Sequence, residues 1–179
     1  MAVFFHDGEP RQITLDDIKP KLNTEGEMRI RLDFVMPLNN KSVEGAPKEV
    51  DKAYRQVSVM ANACDKQHIT SEYDDIGIEL FMTPDNTSPM ITLSKCKIQE
   101  LWVFRPTPDK GSTGDTFVKW HVNLPDSQEV WDWCHGYFGK VMWAAFHDDD
   151  TGSPEQTTGQ GVLPGADDEK QKGKKAKKA

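Results

Sequence analysis

Met28, Ile30, Leu32, Phe34, Met36 and Leu38 alternate with Arg29, Arg31, Asp33 and Val35. A period of two predicts a strand with one wet face. Pro47, a natural first helical residue, then opens a different rhythm. Val50, Ala53, Tyr54, Val57, Met60, Ala61 and Cys64 recur at helical spacing, which predicts an amphipathic helix of about 18 residues. Ile76, Ile78, Leu80 and Met82 return to period two. Ile91 to Ile98 and Leu101 to Arg105 read as two strands, or as one long strand with a bulge near Gln99. Residues 1–26 are weakly patterned: Val3 to Phe5 and Ile13 to Leu15 suggest short edge strands, and Pro20 stops any helix begun at Thr14.

The densest pattern runs from Thr116 to His147, which holds eight of the sixteen Phe, Trp and Tyr residues. Large rings dominate core energetics, so this segment is expected to organise the core. Val118, Trp120, Val122 and Leu124 alternate with Lys119, His121 and Asn123 as a strand. Asp126 is placed as an N-cap with Glu129 three residues on, the spacing of a capping box. Val130, Trp133, Cys134, Tyr137 and Phe138 make the apolar stripe of a second helix, and Gly136 and Gly139 offer ends for it. Val141 to Phe146 reads as an interior strand. The connection from Pro125 to Lys140 is long enough for a parallel crossover, which would be right-handed.

The element order predicts one α+β domain over residues 1–149: a mixed or mainly antiparallel sheet of five to seven strands, with two helices packed on one face. After His147 the chain becomes rich in Gly, Ser, Gln, Thr and Asp, and no apolar period returns. Residues 150–179 are expected to be a disordered polar tail.

Charge divides along the same boundary. The formal net charge is −7, yet residues 151–179 carry +2, so the remaining 150 residues carry −9. An acidic body is a poor general binder of phosphate backbones. The tail differs, with Lys170, Lys172, Lys174, Lys175, Lys177 and Lys178 all within its last ten residues. Such a tail can neutralise phosphates in a sequence-independent, salt-sensitive way, or merely aid solubility. Trp102 and Phe104 share a strand face with Glu100 and would stack single-stranded bases if exposed. Ile98 has the same parity, so the competing reading places both rings in the core.

Sites for catalysis, metals and cofactors are not indicated. No GxSxG, HExxH, Walker A or GxGxxG motif occurs, and Cys64, Cys96 and Cys134 form no CxxC pair. Cys134 and His135 are adjacent, and neighbours on a helix point apart, so Cys134 reads as core. His121, His147 and Asp148 would make a cation site only if their strands were neighbours. The N-terminal apolar run is short and no stretch approaches the roughly 20 residues of a membrane span, so a cytoplasmic protein is expected.

These features predict a non-enzymatic accessory or structural protein acting through protein–protein contacts or self-association, of the kind common in phage and mobile-element genomes. The alternative is a sequence-independent, single-strand nucleic-acid accessory protein. It would use the lysine tail, Trp102 and Phe104, and strand-face cations such as Arg29, Arg31, Lys95, Lys97 and Lys119.

Overall fold

The two cleanest alternating stretches lie side by side. In the computed structural model, which describes residues 4–5, 9–59, 65–106, 115–148 and 162–163, they are neighbouring strands paired along their whole length. The elements are β1 (Arg11–Leu22), β2 (Met28–Leu38), α1 (Lys48–Val59), β3 (Lys66–Ile69), β4 (Tyr73–Phe81) and β5 (Ile91–Phe104). They continue with β6 (Thr116–Pro125), α2 (Gln128–Tyr137), β7 (Val141–Asp148) and a two-residue β8 (Val162–Leu163).

The sheet is mainly antiparallel, in the order β3-β5-β4-β7-β1-β2-β6, and β5 also pairs with β6. That last pairing closes the path β1-β2-β6-β5-β4-β7 on itself, so six antiparallel strands form a barrel without free long edges. Strand β3 takes over from β4 along β5. Strand β8 pairs in parallel with Thr92 and Leu93, beyond the stretch where β6 reaches β5. The expected parallel crossover is not formed. Strand β7 lies between β4 and β1, away from β6, so the α2 connection carries the chain to another part of the ring. Helix α1 packs against β3, β5 and β6, whereas α2 touches β1.

Strand β5 owes its length to two bulges. Lys95 (φ 48°) and Glu100 (φ 50°) both adopt left-handed backbone, and each sits at a register shift. An extra residue reverses the in–out alternation. The buried positions accordingly change parity twice along the strand: Ile91 and Leu93, then Cys96 and Ile98, then Leu101 and Val103. A regular strand would have turned Trp102 inward with Ile98.

Inside the ring, Phe4 packs against Phe5, Tyr73, Trp120 and Phe146, with ring centroids 4.8 to 5.5 Å apart. The N-terminal residues expected on an edge strand thus supply two core rings. Strand β1 is likewise flanked on both sides, by β7 over Arg11–Thr14 and by β2 along most of its length. Pro20 falls where β7 no longer pairs, so its missing N–H breaks no ladder on that side.

Helix α2 is capped one residue later than the sequence suggested. Ser127, not Asp126, is the N-cap, and its hydroxyl accepts a 3.2 Å hydrogen bond from Val130 N–H. Asp126 instead accepts from Trp131 Nε1–H at 2.8 Å. Gly139 (φ 69°) follows the helix in the left-handed conformation. Helix α1 is described over 12 residues, and Met60 to Cys64 lie outside the described residues.

Candidate functional site

The odd-numbered residues of β2 and β6 point away from the barrel interior, as their alternation requires. Register sets Lys119 beside Val35, His121 beside Asp33 and Asn123 beside Arg31. The same wall continues onto β5 beyond the Glu100 bulge, where Trp102 pairs with Lys119 and Phe104 with Phe117. The result is a groove of about 600 Å³ on the outer wall. Trp102, Phe104 and Phe117 are all partly exposed there. The bulge therefore overturns the core reading of Trp102 and Phe104.

The rings form a ledge. Phe104 and Phe117 stack at 5.9 Å between centroids. Trp102 lies 4.4 Å from the His68 ring, and the Lys66 ammonium sits over its face at 4.0 Å. Phe117 belongs to the aromatic-rich segment expected to organise the core, yet it lines the outer wall. Its odd parity, shared with Lys119, was the available signal. Lys66 and His68 had no signal, because β3 is four residues long with no apolar period.

Below the ledge runs a chain of ion pairs. Lys119 Nζ meets Asp16 at 2.6 Å and Asp33 at 3.3 Å. The Arg31 guanidinium donates to Asp33 at 2.6 Å and to Glu100 at 3.0 Å. Burial would raise the Asp33 carboxyl, but Arg31 and Lys119 outweigh it and hold the group below the usual carboxylate range. Burial likewise opposes the charge on Lys119, and Asp16 with Asp33 more than offset that, so its pKa is raised.

His121 closes the chain, 3.6 Å from Glu100, with only 1% of its surface exposed. Burial, with help from the Arg31 charge and against Glu100 and Asp33, pushes its pKa down to about 4. The ring is therefore neutral at physiological pH, and the Arg31–Glu100 bridge runs beside an uncharged partner.

Two further strand-face cations are also matched. Lys97 pairs with Glu72 at 2.6 Å and Asp74 at 3.3 Å, and Arg29 approaches Glu27 at 3.6 Å. Carboxylates interleave with the cations, so no uninterrupted basic stripe crosses the described surface. The six tail lysines, Lys170 to Lys178, lie outside the described residues.

Other expected constellations come apart. His121 is on β6 and His147 on β7, strands that share no ladder. The His147 ring instead lies across Gly77, where an added Cβ would run into it. No group of three metal-ligating side chains converges among the described residues. Burial pushes the Cys134 thiol up to about 12, which keeps it protonated and a weak nucleophile. No helix among the described residues is long and apolar enough to cross a membrane.

No family model matches the chain, and neither a curated protein nor a solved structure is detectably similar to it. The groove must be interpreted from its own chemistry: aromatic faces at the rim, ammonium and guanidinium groups beneath, and carboxylates that already occupy those cations.

Proposed function

We propose that the outer-wall groove binds single-stranded nucleic acid, mainly by stacking bases on Trp102, Phe104 and Phe117. The observation that carries this reading is the Glu100 bulge. It turns two large rings out of the core and sets them beside a third, with Lys66 and Lys119 lining the same groove. Base–aromatic stacking contributes about 1–3 kcal/mol per base and tolerates any sequence. Duplex DNA keeps its base faces stacked internally and would not use such a ledge.

The acidic body and the occupied cations shape the reading further. A phosphate must displace a carboxylate to reach Lys119 or Arg31, so few counterions are released on binding. With about two phosphates engaged, the slope of log affinity against log salt should be about −1 to −2 for a single strand. That is a shallow dependence, unlike that of a protein held by a basic stripe.

Fluorescence anisotropy with labelled single- and double-stranded oligonucleotides tests this on the full-length chain. Trp102→Ala should weaken single-strand binding roughly 5- to 100-fold while the melting temperature stays nearly constant. Replacing the six tail lysines by Gln separates a tail contribution, which would steepen the salt slope. Equal single-strand affinity for wild type and Trp102→Ala would sink the groove reading.

A second reading, self-association, rests on one surface feature. Phe138 and Val141 are 53% and 52% exposed, beside the stacked Trp133 and Tyr137 rings of α2. A Phe138→Glu variant that sediments as wild type does would remove this surface from consideration.

A further inference from the structure

The outer wall does not end at the aromatic groove. A second cavity of about 420 Å³ lies further along the same strands, against the β1–β2 hairpin. Lys21, Arg29, Lys97, Gln99 and Asn123 line it. Asn123 is four residues beyond Lys119 on β6, and Arg29 is two residues before Arg31 on β2. Gln99 and Lys97 precede the bulge on β5, and Trp102 and Phe104 follow it. The Arg31–Glu100 bridge, with His121 beside it, divides the two cavities.

Their chemistry differs. The first cavity offers rings. The second has no aromatic side chain in its lining and offers amides instead. Asn123 Nδ2 donates to Gln99 Oε1 over a long 3.4 Å, and Gln99 Nε2 donates to Glu72 at 2.9 Å. Asn123 Oδ1 has no hydrogen-bond partner among the described residues. That acceptor is buried, and because the amide–amide contact is long, the Asn123 side chain can turn away from Gln99 to meet a base edge that offers both a donor and an acceptor. Adenine presents that pair as N6–H and N7, the bidentate match for an Asn or Gln side chain.

Resting on the stacking reading above, we propose that one strand occupies both cavities. It stacks on Trp102, Phe104 and Phe117, passes over the Arg31–Glu100 bridge, and sets a base edge against Asn123 and Gln99. From Phe117 to Asn123 the path is about 20 Å at strand rise. That length accommodates at most about six nucleotides at the 3.4 Å spacing of a stacked strand. Lys21 and Arg29 lie where the backbone leaves the wall. The site is thus a sequence-tolerant stacking half joined to a base-reading half.

The test is anisotropy with labelled 3-mer and 8-mer deoxyoligonucleotides on the full-length protein. The wild type should bind the 8-mer at least 10-fold more tightly than the 3-mer, and dA8 more tightly than dC8. A Gln99→Ala, Asn123→Ala double variant should lose roughly 10-fold on dA8, lose the dA8 preference, and keep its 3-mer affinity. Lys21→Gln, an exposed hairpin change that leaves the wall intact, should weaken the 8-mer alone. An unchanged dA8 affinity in both variants, with Trp102→Ala still defective, would overturn the second subsite and leave the stacking groove standing. Failure of the wild type to bind any single strand would overturn both.

Discussion

Two aromatic clusters face each other across one barrel wall. Inside, Phe4, Tyr73, Trp120 and Phe146 pack edge to face or tilted. Outside, Trp102, Phe104 and Phe117 form a half-exposed ledge with Lys66 and His68. Strand β6 contributes to both, Trp120 inward and Phe117 outward, three residues apart. Ring chemistry is the same in the two places, so what separates a structural aromatic from a binding one is parity. On β6 plain alternation sets the parity, and on β5 the bulge does. The inner cluster is closed off by the fold, and the outer one remains partly exposed.

The largest effect should come from breaking the inner cluster. Trp120→Ala removes a ring that is 1% exposed and touches Phe4, Phe34 and Phe146. A cost of about 3–5 kcal/mol in urea unfolding is expected, as for other buried Trp truncations. Phe117→Ala on the outside should cost under about 1 kcal/mol. If both changes cost the same, the inner and outer walls are not distinct in the way the geometry implies.

A smaller effect separates the walls by pH. His121 faces outward yet is buried, among Glu100, Asp33, Arg31 and Lys21. Its folded pKa, about 4, lies below the ordinary histidine value of 6.5, so the unfolded chain binds the proton more readily. Stability should therefore be complete above pH 6.5 and fall as the pH drops toward 4, by about 3 kcal/mol. Asp33 adds a separate loss only below its own ordinary range, near 3.8, because its folded pKa is lowered further. A His121→Gln variant should flatten the pH 6.5–4 window and leave the lower one in place. Retention of the full decline in that variant would assign it to another group.

Much of this was legible in the chain. The alternation of Met28–Leu38 and Val118–Leu124 named the strands that pair most fully, and it correctly placed Arg29, Arg31 and Lys119 on a wet face. The stripe of α1 and the bulge near Gln99 were also readable. Ring closure was not, because pairing between β5 and β6 is a long-range contact that no local period encodes. Strand β1 was obscured by the polar run from Asp16 to Lys21, where only β2 pairs with it. Phe4 and Phe5 belong to no periodic element, so their burial had no signature. The direction of Trp102 depended on which residue absorbs the bulge. Once Glu100 adopts positive φ, the side chains after it change face.

The smallest effect bears on the outer wall alone. Glu100 is half-exposed and holds one arm of Arg31 at 3.0 Å, while Asp33 holds the other at 2.6 Å. Glu100→Gln keeps the side-chain shape and the left-handed backbone position but removes one charge. Arg31 stays anchored by Asp33, and its outer N–H groups become available to a phosphate. Stability should change by less than about 0.5 kcal/mol, since exposed ion pairs contribute little. Single-strand affinity should rise roughly 2- to 5-fold, with a salt slope steeper by about 0.7 for the added phosphate contact. Weaker binding would show that Glu100 itself accepts from the bound strand. In that case the carboxylates of the groove are contacts rather than competitors, and the two walls differ in more than which rings they expose.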